Sequence, residues 1–164
     1  MARTVVATTS IRSGNHSRPA RPAVVGEMGS SSVKPVKVGI CGLGTVGGGT
    51  FNVLQRNAEE IARRAGRGIE VAQIAMRTPK PQFQTTGIAI TNDVFEVATN
   101  PEIDIVIELM GGYTVARELV LKAIEHGKHV VTANKALIAV HGNEIFAKAR
   151  EKGVIVAFEA AVAG

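Results

Sequence analysis

The amino-acid sequence predicts an α/β fold, in which helices cover both faces of a doubly wound, mostly parallel sheet. Short apolar runs alternate with helical patterns along most of the chain, which is typical of strand–helix–strand units. The first run, Val36–Cys41, ends in a glycine-rich turn and leads directly into a helical pattern. Aromatic residues make up only 4% of the sequence and Trp is absent, so the interior is aliphatic, as in buried parallel sheets.

Five apolar runs have the length and the flanking turn residues of strands in such a sheet. They predict strands over residues 36–41, 69–76, 104–110, 129–132 and 154–159. Doubly wound sheets bind ligands beyond the carboxyl ends of their strands. The residues expected at those ends are Gly42, Arg77, Gly111, Gly112, residues 133–135 and Glu159.

Apolar residues at helical spacing, together with capping residues, predict four helices between these strands. The helices are expected over residues 46–64, 93–98, 114–125 and 135–152. Asn92 is the expected N-cap of the second helix, and Gly66 and Gly68 are expected to end the first. We expect the last helix to bend or break at Gly142, because glycine destabilises helix interiors. The apolar positions of the first helix are Phe51, Val53, Leu54 and Ile61.

The net charge of +5 is concentrated ahead of the predicted domain. Residues 1–34 carry five basic side chains and one acidic side chain, whereas residues 35–164 carry 14 basic and 13 acidic side chains. The body of the chain is therefore nearly neutral, and its charge gives no support for binding nucleic acid.

Residues 1–34 lack lasting periodicity and are rich in Ser, Arg, Gly and Pro, which predicts a disordered tail before one domain of residues 35–164. An organelle transit peptide has a similar arginine- and serine-rich, acid-poor composition. A cloning scar or a start codon assigned too early would give the same pattern.

The sequence also predicts where the protein works. No apolar run reaches the ~18 residues that span a membrane, so we expect no membrane segment. Cys41 is the only cysteine, which excludes an internal disulfide and favours a reducing compartment. A cytoplasmic location is therefore expected, and Cys41 itself is expected to be a small buried residue. None of the four histidines has neighbouring metal-ligand partners at suitable spacing.

A dinucleotide-binding motif follows the first strand. The segment Gly42-Leu43-Gly44-Thr45-Val46-Gly47 has the spacing G-x-G-x-x-G, with a strand before it and a helix after it. The first glycine allows the tight turn, the second lets the backbone approach a pyrophosphate, and the third lets the helix pack closely. The helix N-terminus then offers N–H groups to the phosphates. The alternative is a glycine-rich turn without a ligand.

The residues after the second predicted strand favour NADP(H) over NAD(H). NAD-binding domains carry a carboxylate there that holds the ribose 2′-hydroxyl, whereas this chain has Arg77 and Lys80. A guanidinium can bind a 2′-phosphate through two hydrogen bonds. The alternative is a solvated arginine at the end of a strand.

Lys135 follows the fourth predicted strand and begins the last helix. A lysine there would project into the cleft, where it can orient a substrate carboxylate or a cofactor amide. By position alone, a surface lysine at a helix start is an equal alternative.

Four segments together resemble homoserine dehydrogenase, most closely its proteobacterial monofunctional form. They are VKVGICGLGTVGGGTF, IELMGG, HVVTANKALIA and FEAAVAG, and the resemblance covers about residues 35–164. It implies an oxidoreductase that interconverts L-aspartate 4-semialdehyde and L-homoserine with NAD(P)H, on the route to threonine and methionine. Such an enzyme acts on a small-molecule substrate and is expected to be a homodimer or a larger oligomer.

The resemblance also implies roles for individual residues. Residues 42–47 would hold the pyrophosphate, and Arg77, with Lys80, would face the adenosine 2′-phosphate. Gly111 would lie near the nicotinamide and Thr132 would line the cofactor site. Lys135 would be the cleft lysine that contacts cofactor and substrate. A sodium ion would bind to Glu159, Val162 and Gly164 through oxygen atoms, the ligands that hard cations prefer.

The sequence departs from the family because it stops at Gly164. The substrate and dimerisation domain, with the residues that transfer the proton, would follow that position. We therefore expect this chain alone to lack activity. Two other interpretations stay open, namely a non-catalytic NADP(H)-binding module and the cofactor domain of another amino-acid oxidoreductase.

Overall fold

One parallel sheet organises the part of the chain that the structure describes. The structure is a computed structural model, and it describes residues 33–158. The strands are β1 (Val36–Cys41), β2 (Ile69–Ala75), β3 (Ala89–Thr91), β4 (Ile105–Glu108), β5 (His129–Thr132) and β6 (Val156–Phe158). The helices are α1 (Thr45–Arg56), α2 (Ala58–Ala65), α3 (Val94–Thr99), α4 (Thr114–Glu125) and α5 (Lys135–Lys152).

The sheet is doubly wound, as the sequence predicts. Its strand order is β3-β2-β1-β4-β5-β6, and every neighbouring pair is parallel. The chain moves outward from β1 to β3, crosses back to β4 beside β1, and continues to β6. The order therefore reverses between β1 and β4, and this is where such sheets bind their ligands. Cys41 pairs with Ala75 and with Glu108, so the strands that flank this point end at the same edge.

Apolar side chains fill both faces of the sheet. On one face Val106 and Val130 pack with Leu119 of α4 and Leu137 of α5. On the other face the residues that pack together include Val38, Ile40, Ile74 and Phe51 of α1. Burying an aliphatic or aromatic side chain of this size stabilises a fold by roughly 1.5–3 kcal/mol. The two layers hold the carboxyl ends of the strands in place.

The helix expected over residues 46–64 is two helices, so that prediction is wrong in one respect. Asn57 lies between α1 and α2 with φ −104° and ψ 15°, and its N–H donates to Val53 O at 3.0 Å. Asparagine side chains compete for backbone hydrogen bonds, which disfavours helix interiors. Phe51 is fully buried as expected, whereas Val53 is 55% exposed. Gly66, with φ 70°, ends α2.

Other details also differ from expectation, among them a helix cap, an additional strand and the end of a strand. Asp93, rather than Asn92, caps α3, since its Oδ1 accepts from Phe95 N–H at 2.9 Å. The three-residue strand β3 has no counterpart among the predicted strands. The third predicted strand ends at Glu108 instead of residue 110.

The last helix is continuous through Gly142, so the expected break is wrong. Leu137, Ile145 and Ala149 bury one face of α5 on both sides of that glycine. Their burial outweighs the roughly 1 kcal/mol that glycine costs in a helix.

The predicted tail lies almost entirely outside the described residues. Its last two residues, 33 and 34, are described, and the carbonyl oxygen of Lys34 accepts hydrogen bonds from Arg67 Nε and Nη2 at 3.0 and 2.8 Å. Lys34 therefore contacts the body of the domain.

Candidate functional site

A tight glycine turn joins β1 to α1 at the point where the strand order reverses. Gly42 has φ +98°, and a Cβ atom there would lie 2.9 Å from Leu109 O. A Cβ atom at Gly47 would lie 1.9 Å from Gly42 O. A Cβ atom at Gly44 would meet nothing within 4 Å. The turn itself thus requires glycine at 42 and 47, while Gly44 leaves space for a ligand.

The N-terminus of α1 opens from this turn. Gly44 is its N-cap, no side chain caps it, and its first turn contains no acidic residue. The intrahelical hydrogen bonds begin with Gly48 N–H to Gly44 O at 2.8 Å, so the N–H groups of Thr45, Val46 and Gly47 precede the ladder. Leu43 is buried and anchors the turn. This end of the helix carries a partial positive charge suited to phosphate.

One cleft of about 760 Å³ lies at the carboxyl edge of the sheet. Its lining joins the glycine turn, the segment after β2, the start of α3 and the loop after β4. The predicted site residues that line it are Gly42, Leu43, Gly44, Arg77, Lys80 and Gly111. These residues come from separate parts of the chain, and the strand order brings them together.

The end of the cleft beside β2 is positively charged. Arg77 is exposed and Lys80 is half-buried, and neither side chain has an ion-pair or hydrogen-bond partner within residues 33–158. A shallow depression of about 520 Å³ adjoins the cleft and shares Arg77 with it. Asp93 is a carboxylate in the cleft lining, but its Oδ1 already accepts from Phe95 N–H. Its position after the unpredicted β3 explains why sequence reasoning missed it.

Thr132 and Lys135 lie beyond the lining of this cleft. Thr132 is buried, and its hydroxyl donates to Glu108 Oε2 at 2.6 Å. Lys135 is exposed and begins α5, directly after the N-cap residue Asn134. The two residues therefore stand one strand away from the residues that line the cleft.

Glu108 is a buried carboxylic acid that the sequence analysis did not single out. It is fully buried at the end of β4. Burial raises the pKa of Glu108, and the hydrogen bonds from Thr132 and from Met110 N–H act in the opposite direction. The sequence signal that could have identified Glu108 is a single charged residue within the apolar run of residues 105–110.

Cys41 is an inert side chain, as its predicted burial implies. It is fully buried, and burial, together with the charge of Glu108, raises the pKa of its thiol to about 12. Thiolate is the reactive form of cysteine, so Cys41 serves packing.

The predicted sodium ligands Glu159, Val162 and Gly164 lie outside the described residues. Within residues 33–158, no group of three or more His, Cys, Asp or Glu side chains is placed to hold a metal ion. None of the described helices is both long enough and apolar enough to cross a membrane.

The fold, the glycine turn and the cleft define a dinucleotide-binding domain of the Rossmann type. The chain belongs to the homoserine dehydrogenase family, because residues 42–159 match the family described as "Homoserine dehydrogenase, NAD binding domain". The predicted family and the nicotinamide cofactor are thereby confirmed.

Known homoserine dehydrogenases are similar to this chain over about 80% of its length. Homoserine dehydrogenase of Pseudomonas aeruginosa is 83% identical over 132 residues, which are 80% of this chain and 30% of the relative. That of Neisseria gonorrhoeae is 52% identical over 133 residues, again 80% of this chain and 31% of the relative. The crystal structure of a homoserine dehydrogenase from Thiobacillus denitrificans is similar with a TM-score of 0.74 and 61% identity, over 80% of this chain and 31% of that chain. The chain thus spans about 30% of the length of the curated relatives it matches.

Proposed function

We propose that this chain supplies the NADP(H)-binding part of an enzyme that interconverts L-aspartate 4-semialdehyde and L-homoserine. The observation that carries the proposal is the cleft that joins the glycine turn to the side chains of Arg77 and Lys80, which have no ion-pair partner within residues 33–158. The names of the relatives support the reaction. The product would then enter threonine and methionine synthesis.

The charge at the β2 end of the cleft supports a preference for NADP(H). A 2′-phosphate carries negative charge and several acceptor oxygens, which a guanidinium can bind at two points. No carboxylate follows β2 to accept the ribose 2′-hydroxyl of NAD(H), and Asp93 is already engaged as a helix cap. NAD(H) is expected to bind the same cleft more weakly.

The cofactor is expected to lie across the point where the strand order reverses. The pyrophosphate would sit over Gly44 and the N-terminus of α1, where a ligand has space. The adenosine would extend toward Arg77, and the nicotinamide toward Gly111. Thr132 would line the cofactor site, and Lys135 would contact both cofactor and substrate, as the family resemblance implies. Bound cofactor supplies the hydride, while the chain's own residues bind and orient it.

Sodium binding and self-association belong to the same proposal. Glu159 offers a carboxylate, and Val162 and Gly164 offer backbone oxygens, a donor set that suits a hard monovalent cation. The family resemblance supports a homodimer or a larger oligomer.

A chimeric enzyme tests the proposed reaction. Residues 36–158 replace the corresponding residues of the Pseudomonas aeruginosa homoserine dehydrogenase, and NADPH oxidation is followed with aspartate semialdehyde. High identity makes the graft compatible with its surroundings, so turnover near that of the parent is expected. A folded chimera that binds NADPH without turnover would favour a non-catalytic binding module. The 164-residue chain, which spans about 30% of the length of this relative, is expected to bind NADPH without turnover.

A further inference from the structure

Glu108 carries a buried carboxyl group that the proposed cofactor contacts leave unused. It pairs with Cys41 on one side and with Thr132 on the other, so it lies in the middle of the sheet. Both of its oxygens accept hydrogen bonds, Oε1 from Met110 N–H at 2.7 Å and Oε2 from the Thr132 hydroxyl at 2.6 Å. The carboxyl therefore connects the segments that follow β4 and β5.

The hydrogen bonds continue from Thr132 through Asn134 to Gly112, and the backbone of residues 110–112 completes a ring with Glu108. Thr132 Oγ1 accepts from Asn134 N–H at 3.1 Å, and Asn134 Nδ2 donates to Gly112 O. Asn134 Oδ1 also accepts from Leu137 N–H at 3.0 Å, which caps α5. The loop after β4 and the loop after β5 are thus joined through the side chains of Glu108, Thr132 and Asn134. A rearrangement at any member changes the geometry of both loops.

The first of these loops borders the end of the cleft that lies away from Arg77. Residues 109–115 line the cleft there. In doubly wound sheets the β1–β3 half takes the adenosine, and the β4–β6 half takes the other mononucleotide. The ring around Glu108 therefore sets the wall that would face the nicotinamide.

Burial alone does not explain an acid at this position. Desolvating a carboxyl group is costly, so an apolar side chain would fill the same space at lower cost. An apolar side chain would not supply two acceptors to two loops.

We propose that Glu108 is a positioning residue that, through Thr132 and Met110 N–H, fixes the loops after β4 and β5 for the nicotinamide half of the cofactor. This inference rests on the proposed function. Glu108 touches no cofactor itself, and it acts through the backbone of residues 110–112 and through Asn134, which precedes Lys135.

Two ligands separate positioning from general destabilisation. NADPH spans the whole cleft, whereas adenosine 2′,5′-bisphosphate occupies only the Arg77 end. Calorimetric titration of Glu108→Gln and Thr132→Val should show NADPH affinity reduced about tenfold, the scale of one hydrogen bond to a charged group. The affinity for the bisphosphate should stay within about twofold of wild type, since a tenfold change corresponds to the loss of such a bond. Thr132→Ser, which keeps the hydroxyl, should restore NADPH binding.

The control is Glu118→Gln, the same chemical change on the exposed surface of α4, which should alter neither affinity. Unchanged NADPH affinity in folded Glu108→Gln and Thr132→Val would overturn the inference, and so would equal losses for both ligands. Hydrogen exchange at the Asn134 amide reports on the hydrogen bond from Asn134 N–H to Thr132 Oγ1, and it needs no nucleotide. It should accelerate in Thr132→Val but not in Thr132→Ser, and equal rates would overturn the inference. If wild type binds neither nucleotide while this exchange difference appears, the proposed function fails and the ring is upheld.

Discussion

A Cβ atom at Gly47 would lie 1.9 Å from the carbonyl oxygen of Gly42, so the first turn of α1 packs directly against the backbone that follows β1. Backbone cannot yield as a flexible side chain does, and this contact excludes every residue except glycine at 47. A Cβ atom at Gly44 would meet nothing within 4 Å, so the fold does not require glycine at this position. The open space beside Gly44 is instead available to a ligand.

Alanine at these two glycines is expected to have opposite effects. Gly47→Ala should destabilise the domain by about 3 kcal/mol or more, the upper end of the cost of overpacking. Gly44→Ala should leave the unfolding free energy near wild type, because its φ of −78° suits an L-residue and space is open. It should reduce NADPH affinity about tenfold or more, equal to about 1.4 kcal/mol. Urea unfolding and fluorescence titration measure the two effects, and a destabilised Gly44→Ala would contradict this division.

Removing the guanidinium at position 77 should separate the two nicotinamide cofactors. Arg77→Ala is expected to weaken NADPH binding by about 1.5–3 kcal/mol, the range for hydrogen bonds to charged groups. NADH lacks the 2′-phosphate, so its affinity should barely change. Titration of both cofactors against wild type and the variant provides the comparison, with Arg67→Ala as a control away from the cleft lining. Equal losses for NADPH and NADH would refute the role assigned to Arg77.

The stability of the domain should depend on pH in opposite ways through two glutamates. Burial raises the pKa of Glu108, so the folded state binds its proton more tightly than the unfolded chain does. Its contribution is therefore fully present below its ordinary pKa of 4.5 and is lost as the pH rises through the raised pKa. The hydrogen bond from Arg117 lowers the pKa of Glu144, whose contribution is present above 4.5 and is lost as the pH falls through the lowered pKa.

Urea unfolding of wild type, Glu108→Gln and Glu144→Gln at a series of pH values measures both dependences. The stability of wild type relative to Glu108→Gln should decline as pH rises, and its stability relative to Glu144→Gln should decline as pH falls. Slopes of the same sign would show that one of the two directions is wrong.

Deleting residues 1–32 should change neither the melting temperature nor the affinity for NADPH. Those residues have no apolar periodicity with which to bury surface. The deletion stops before Lys34, because the carbonyl oxygen of Lys34 accepts two hydrogen bonds from Arg67. Differential scanning calorimetry of the shortened chain provides the test, and a fall of several degrees would show that the removed residues stabilise the domain.

The sequence predicts those features that depend on local pattern. Neighbouring residues are sufficient to predict the glycine turn, the strand β1 and the start of α4. The strand β3 is different, because Ala89–Thr91 has too few residues for a pattern and becomes a strand through pairing of Ile90 with Ile74. The interruption at Asn57 depends on a single asparagine within an otherwise helical pattern.

The ring around Glu108 needs the register of the sheet as well as the sequence. Thr132 lies 24 positions from Glu108 along the chain, and the pairing of β4 with β5 places them opposite each other. A lone acid in an apolar run indicates something unusual at residue 108, but only the register identifies its partners. The placement of Arg77 and Lys80 in the cleft lining was predictable, because a position shortly after a strand is a local signal.

Parallel calorimetric titrations of NADPH and NADH into the 164-residue chain test the central claim most directly. The cleft with its unpaired Arg77 and Lys80 predicts binding of both cofactors, with NADPH tighter by about tenfold or more, the scale of a hydrogen bond to a charged group. Failure of the folded chain to bind either cofactor, or binding of NADH at least as tight as that of NADPH, would contradict it.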